Sequence, residues 1–170
     1  MGKHPESQAA RAVAVGPNGH IAVCSNDGGM TIRTTADFAT VIHEKLDSKE
    51  WIEVAEYSPD GAYLAVGSHD TNIYIYETSN YEQVGKASKH NATVTCVDWA
   101  MDGSYIKSVC NGYELLYYMM PSGDHDPSGR SNTTGVDWAT GHAKFGWLVD
   151  GIYPKGTDGS HINGVDFNED

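Results

Sequence analysis

Basic residues are scarce in this chain: 11 lysines and arginines stand against 23 aspartates and glutamates in 170 residues, a formal charge of −12. Nucleic acids and anionic membranes are gripped by basic patches, so neither is an expected partner. Long apolar runs are also missing. No uncharged stretch approaches the ~20 residues of a membrane span, and residues 1–10 form a polar leader without the apolar centre of a signal peptide. The expected compartment is the cytoplasm. Cysteine is rare and odd in number; Cys24, Cys96 and Cys110 show no metal-type spacing and read as reduced, buried, small hydrophobes. Helical periodicity is absent, and with it any glycine-rich phosphate loop opening a helix. The eight histidines fall mostly at turns and in no nucleophile or zinc motif. Asp124-His125-Asp126 contains ligand types, but three adjacent residues rarely converge on one ion, so this stretch reads as a solvated loop. No catalytic, cofactor or metal site is expected.

What the chain does contain is turns and aromatics: 19 glycines, 10 tyrosines and 4 tryptophans, with 39% hydrophobic residues. The stretch from Trp51 to Tyr76 reads as three short antiparallel strands. Ser58-Pro59-Asp60-Gly61 forms one turn between them and Ser68 to Asn72 the other, since Pro presets φ, Asp bonds its own backbone and Gly tolerates positive φ. The first turn recurs: Asn18-Gly19, Asp60-Gly61 and Asp102-Gly103 are each 42 residues apart. Before each stands a strand pattern (Ala12 to Val15, Val54 to Tyr57, Cys96 to Trp99), and two more follow each (for the first unit Ile21 to Val23 and Met30 to Arg33). A period of about 40–45 residues with four short strands marks a WD40-type β-propeller.

The expected fold is therefore all-β: a partial propeller of about three and a half four-stranded blades, near residues 11–44, 51–90 and 93–131, with an irregular or incomplete unit over 135–170. Outer strands are expected at Ala39 to His43 and Gln83 to Ala87, whereas Pro121 to Gly129 is too rich in turn formers for one. Tyr57, Val66, Ile73, Ile75, Trp99, Leu115 and Tyr117 are the expected inter-blade core. Since about four to eight blades close a ring, the remainder of the propeller is an expected partner, from the same or another chain.

The succession Lys49-Glu50-Trp51, Tyr57 to Gly61, Leu64 to Asp70 and Ile73 to Tyr76 resembles the echinoderm microtubule-associated protein-like family. Tyr113 to Tyr118, Val136 to Thr140, Gly151 to Pro154 and Gly156 to Asn163 resemble it in the same order, so the likeness covers residues 12 to 166. It implies a tandem pair of atypical propellers, with this segment in the second, and tubulin, microtubules or microtubule-bound proteins as partners. It also implies a cytoskeletal location, the ciliary axoneme among the candidates. In WD repeats a His, a Ser or Thr, an Asp and a Trp form a network that ties a blade together. Ser68, Asp70 and Tyr76 stand at matching positions of the second unit, Tyr replacing Trp, and Lys89-His90 stands where a Gly-His pair is common. The structural repeat positions are thus Ser68, Asp70, Tyr76 and His90, the turn pairs Asp60-Gly61 and Asp102-Gly103, and Trp99. The function implied is a non-catalytic scaffold that binds through its loops, with Lys45, Lys49, Arg130 and Lys155 as candidate contacts. A general WD40 adaptor unrelated to microtubules is the alternative, and a hydrolase site in the channel a distant third.

Overall fold

The computed structural model describes residues 9–143. Within them lie three four-stranded antiparallel sheets. The first contains β1 (Ala10–Val15), β2 (His20–Ser25), β3 (Met30–Thr34) and β4 (Val41–Lys45); the second β5 (Ile52–Tyr57), β6 (Tyr63–Ser68), β7 (Ile73–Glu77) and β8 (Gln83–Ala87). The third contains β9 (Val94–Trp99), β10 (Tyr105–Cys110), β11 (Leu115–Met119) and β12 (Asp124–His125), and a single helical turn, α1 (Gly129–Asn132), follows. Every sheet is a meander in chain order. The leading strands β1, β5 and β9 pack in succession, so the sheets stand side by side as a partial WD40-type propeller.

One local device starts each meander. In the turn between the first two strands, the side chain of Asn18, Asp60 or Asp102 accepts the backbone N–H two residues on, at 3.1, 3.0 and 2.9 Å. The glycine that follows adopts φ of 72–78° in all three, a left-handed conformation that costs glycine nothing. Asp60 and Asp102 also accept a serine hydroxyl, from Ser58 and Ser104, both at 2.6 Å. These bonds hold both carboxyls below their usual range.

The alternating strand pattern sends the second sheet's two faces to different neighbours. From the second sheet, Leu64, Val66, Tyr74 and Tyr76 meet Ala22, Cys24, Met30 and Ile32 of the first. The intervening residues Ala65 and Ile73 meet Val94, Val97, Trp99 and Ile106 of the third. Trp99 is 1% exposed; its ring stacks on Tyr63 with centroids 6.4 Å apart, and its Nε1–H donates to the Glu56 carbonyl at 3.0 Å. At Gly67 the sheets come so close that a Cβ would lie 2.7 Å from Val54 and 2.8 Å from Val94.

Three expectations need correction. The outer strand of the first sheet lies two residues later than Ala39 to His43, at Val41–Lys45, because Asp37 holds Ala39 and Thr40 in a turn. Pro121 to Gly129 is not all loop: Asp124 and His125 pair with Met119 and Tyr118, so the third sheet does have a fourth strand, two residues long. Of the expected core, Leu115 is half-buried, since it faces away from the second sheet, while the other six residues are buried. The strands and turn expected at Phe145 to Tyr153, Lys155 to Gly159 and Ile162 to Phe167 lie outside the described residues.

The outer face of the third sheet carries a different chemistry from the inner one. Asp98 and Lys107 are both buried there, with Lys107 Nζ 3.6 Å from Asp98 Oδ2. The chain returns over them: Ala139 N–H donates to the Trp99 carbonyl at 2.8 Å, and Trp138 lays its ring over Lys107 Nζ at 4.3 Å. Thr140 donates both its N–H and its hydroxyl to Asp98 Oδ1, at 3.0 and 2.9 Å. Burial pulls the Lys107 pKa down, and Asp98 opposes it.

Candidate functional site

The second-to-third-strand hairpins and the segments entering β5 and β9 all lie at one end of the sheets, by the topology of an up-and-down meander. The WD-type networks form here. In the first sheet Ser25 hydroxyl donates to Asp27, and Asp27 accepts the Gly29 N–H at 2.9 Å. In the second, Ser68 meets Ser48 at 2.7 Å and accepts the Asp70 N–H at 3.1 Å, while Asp70 Oδ2 accepts the Tyr74 hydroxyl at 2.7 Å. Asp70 also takes the Asn72 N–H at 3.1 Å and the Lys49 N–H at 3.3 Å. These hydrogen bonds outweigh its partial burial and hold its carboxyl below the usual range.

Ser48 therefore stands where the repeat pattern places a histidine, 42 residues before His90. The phenol that reaches Asp70 is Tyr74, one of the alternating set; Tyr76 is buried in the layer against the first sheet. His90 serves the third sheet rather than the second. Its Nε2 lies 2.7 Å from Ser108 Oγ and its Nδ1 3.3 Å from Glu114 Oε2. Glu114 Oε2 further accepts the Asn91 N–H at 3.0 Å and lies 3.3 Å from Cys110 Sγ, and Glu114 Oε1 accepts the Asn91 side-chain amide at 2.6 Å. The Asn91 donors, backbone first, bring the Glu114 carboxyl down to about 2. Burial lowers the His90 pKa despite Glu114, which keeps the ring neutral at neutral pH. Asp60, Gly61, Asp102 and Gly103 sit at the opposite end, in the turns described above.

The same hairpin end carries a surface cluster that straddles the first two sheets. Trp51, 43% exposed, lies beneath the Arg11 guanidinium at 4.8 Å and beside His69 at 5.2 Å. Glu53 bonds Arg11 at 2.6 Å and His69 at 3.1 Å; the Arg11 bond is the main reason its carboxyl titrates below the usual range. Leu46 and Tyr113 project from neighbouring loops, 69% and 83% exposed. No sequence motif announced this cluster, because its members come from β1, β5 and a hairpin. Of the basic groups expected on turns, Lys45 instead ends β4 and pairs with Glu82 at 3.4 Å, Arg130 lies in α1, and Lys155 is outside the described residues. Cys24 and Cys110 are buried and Cys96 half-buried, all free; burial raises the thiols of Cys24 and Cys96 to about 12.

A comparison with protein families matches residues 2–170 to the family described as the echinoderm microtubule-associated protein second beta-propeller. The chain belongs to this family. Among curated relatives, the ciliary WD repeat-containing protein ctxp80 of Euplotoides octocarinatus is 49% identical over 169 residues, 98% of this chain and 24% of the relative. Echinoderm microtubule-associated protein-like 4 of Xenopus tropicalis is 36% identical over 153 residues, 88% of this chain and 16% of its own. The rat echinoderm microtubule-associated protein-like 1 is 39% identical over 135 residues, 77% of this chain and 16% of its own. The chain thus spans about a quarter or less of the length of these relatives. Family membership fits a WD-type blade in which Ser48 stands at the usual His place, Tyr76 at the usual Trp place, and Tyr74 supplies the hydroxyl bonded to Asp70.

Proposed function

We propose that this chain is a non-catalytic WD40 scaffold segment that acts at microtubules, in the cytoplasm and, as the name of the ciliary relative suggests, in the axoneme. The family match across residues 2–170 carries the reading. The hairpin-end networks support it, since Ser68 with Asp70 in the second sheet, and His90 with Glu114 in the third, fix their loops. A rigid loop face binds a partner with little ordering cost. We infer further that additional blades, from the same protein or another chain, complete the ring around these three sheets, because about four to eight are needed.

The contact face in this reading is the hairpin end. Trp51, Tyr113 and Arg11 there are the residue types that dominate binding hot spots, while the −12 charge leaves few cations to draw an acidic filament. The test is co-sedimentation of the full chain with microtubules across a salt series. Binding that changes little between low and moderate salt and falls on Trp51→Ala is the expected result. No pelleting at any salt refutes the microtubule reading and leaves a general adaptor; a steep loss with salt refutes the apolar-contact account.

A further inference from the structure

Among the described residues, one trio of side chains brings three ligand atoms of different chemistry together. The imidazole of His90, the thiol of Cys110 and the carboxylate of Glu114 place one such atom each within 4.8 Å of one another. We propose that His90 Nδ1, Cys110 Sγ and Glu114 Oε2 bind a divalent ion of borderline softness, zinc by preference, with solvent as the fourth ligand.

The spacing fits the ion. Bonds of ~2.0–2.3 Å in a tetrahedron set ligand atoms about 3.3–3.8 Å apart. Glu114 Oε2 lies 3.3 Å from both His90 Nδ1 and Cys110 Sγ, so two edges already match, and the third, within 4.8 Å, closes as the Cys110 and His90 side chains turn toward the ion. Imidazole and thiolate together favour zinc over the oxygen-seeking magnesium and calcium.

The surroundings fit as well. A metal-bound histidine usually gives its other ring N–H to an acceptor, which fixes the tautomer. Without an ion, His90 Nδ1–H faces the Glu114 carboxylate and Nε2 can accept from Ser108; with an ion on Nδ1 the ring takes the other tautomer, and Ser108 Oγ, 2.7 Å from Nε2, is placed to accept that proton. Asn91 holds the carboxylate from two sides, at 3.0 and 2.6 Å. The His90 side chain is 1% exposed, whereas that of Glu114 is 27% exposed, so the pocket is closed behind the ring and open beside the carboxylate.

Charge balances too. In the metal-free form the Cys110 S–H donates to Glu114. On binding, that proton leaves Cys110 for solvent, the neutral histidine exchanges the Nδ1–H it gives Glu114 for an Nε2–H given to Ser108, and the carboxylate is already ionised. One dication then meets one thiolate and one carboxylate, a neutral cluster in a buried place. The equivalent positions in the first two hairpins hold Ser25 and Ser68, each accepting across its hairpin as Cys110 does. The thiol is thus the third hairpin's own departure, and it sits beside the only histidine of the three networks described.

Cobalt(II) titration of the full chain tests this, because a thiolate ligand gives cobalt a strong near-ultraviolet charge-transfer absorption. One equivalent should develop the band, and zinc should abolish it. Cys96→Ser should keep the band, Cys110→Ser should lose it, and Glu114→Gln should bind weaker by roughly 10-fold or more. Cys110→Ser is expected to fold, since serine occupies that place in the other two hairpins, and circular dichroism checks that it does. Native mass spectrometry of the unaltered chain should show one zinc ion, independently of any variant. A chain that binds no zinc in that measurement, or a cobalt band unchanged in folded Cys110→Ser, overturns the proposal.

Discussion

Trp99→Ala removes the largest side chain buried between the second and third sheets. Truncating a buried tryptophan costs about 3–5 kcal/mol when the walls cannot collapse. The walls here are the ladders of β5, β6 and β10, which are pinned by their own hydrogen bonds. The Glu56 carbonyl also loses its indole donor, and an unmade hydrogen bond of this kind costs about 1 kcal/mol. Trp99→Phe separates the two effects, keeping most of the ring and the stack on Tyr63 while removing the N–H. We expect Trp99→Ala to lower stability by about 4–5 kcal/mol and Trp99→Phe by about 1–2 kcal/mol. For a chain of this size the first corresponds to a melting temperature lower by ~10–15 °C. Urea unfolding followed by far-ultraviolet circular dichroism gives both values, provided the denaturant slope is unchanged. A loss below ~1 kcal/mol for Trp99→Ala, or equal losses for the two variants, would show that the ring does not fill the inter-sheet layer as described.

Gly67→Ala should cost about 1–3 kcal/mol because its methyl meets Val54 and Val94, against about 1 kcal/mol for Gly103→Ala, whose φ of 72° is strained but whose surroundings are open; paired melting curves decide, and equal losses would count against the close approach of the sheets. Glu114 has its carboxyl held at about 2 against an ordinary 4.5, so the stability it adds is present above 4.5 and disappears as pH falls towards 2. Glu114→Gln should therefore flatten the acid limb of a plot of urea midpoint against pH, and an unchanged limb would mean that the Asn91 bonds do not favour the ionised form.

The repeat was legible because each unit spends the same residues on the same backbone problem. Asn18, Asp60 and Asp102 cap one turn in one way, and the glycine behind each takes one φ. Burial by alternation was legible for Tyr57, Val66 and Trp99, and less so for Leu115, since alternation fixes which face a residue takes but not what covers that face. The two-residue strand at Asp124 was hidden by its turn formers, because a strand that short depends on β11 and not on its own propensity. The hairpin-end chemistry was only partly legible. His90 could be seen as a repeat position, but Cys110 and Glu114 lie 20 and 24 residues further on, and only the β10–β11 hairpin brings them to it. Ser48 was invisible as a network member because serine at that place looks like any loop residue.

The buried Asp98–Lys107 pair on the outer face of the third sheet acts as a lock on what may sit next to it. An apolar neighbour would fit that face by shape, yet it would strip water from two charges 3.6 Å apart and offer them nothing in return, at a cost of several kcal/mol. Thr140 and Trp138 answer that demand in part, with two donors for Asp98 Oδ1 and an aromatic face for Lys107, while Asp98 Oδ2 has only the Lys107 charge at 3.6 Å. The first sheet, with Val13 and Val15 exposed on β1, makes no such demand at its own free face. The outer face of the third sheet is therefore polar-coded: an apolar neighbour would be rejected there, whereas residues 138–140 match its charges.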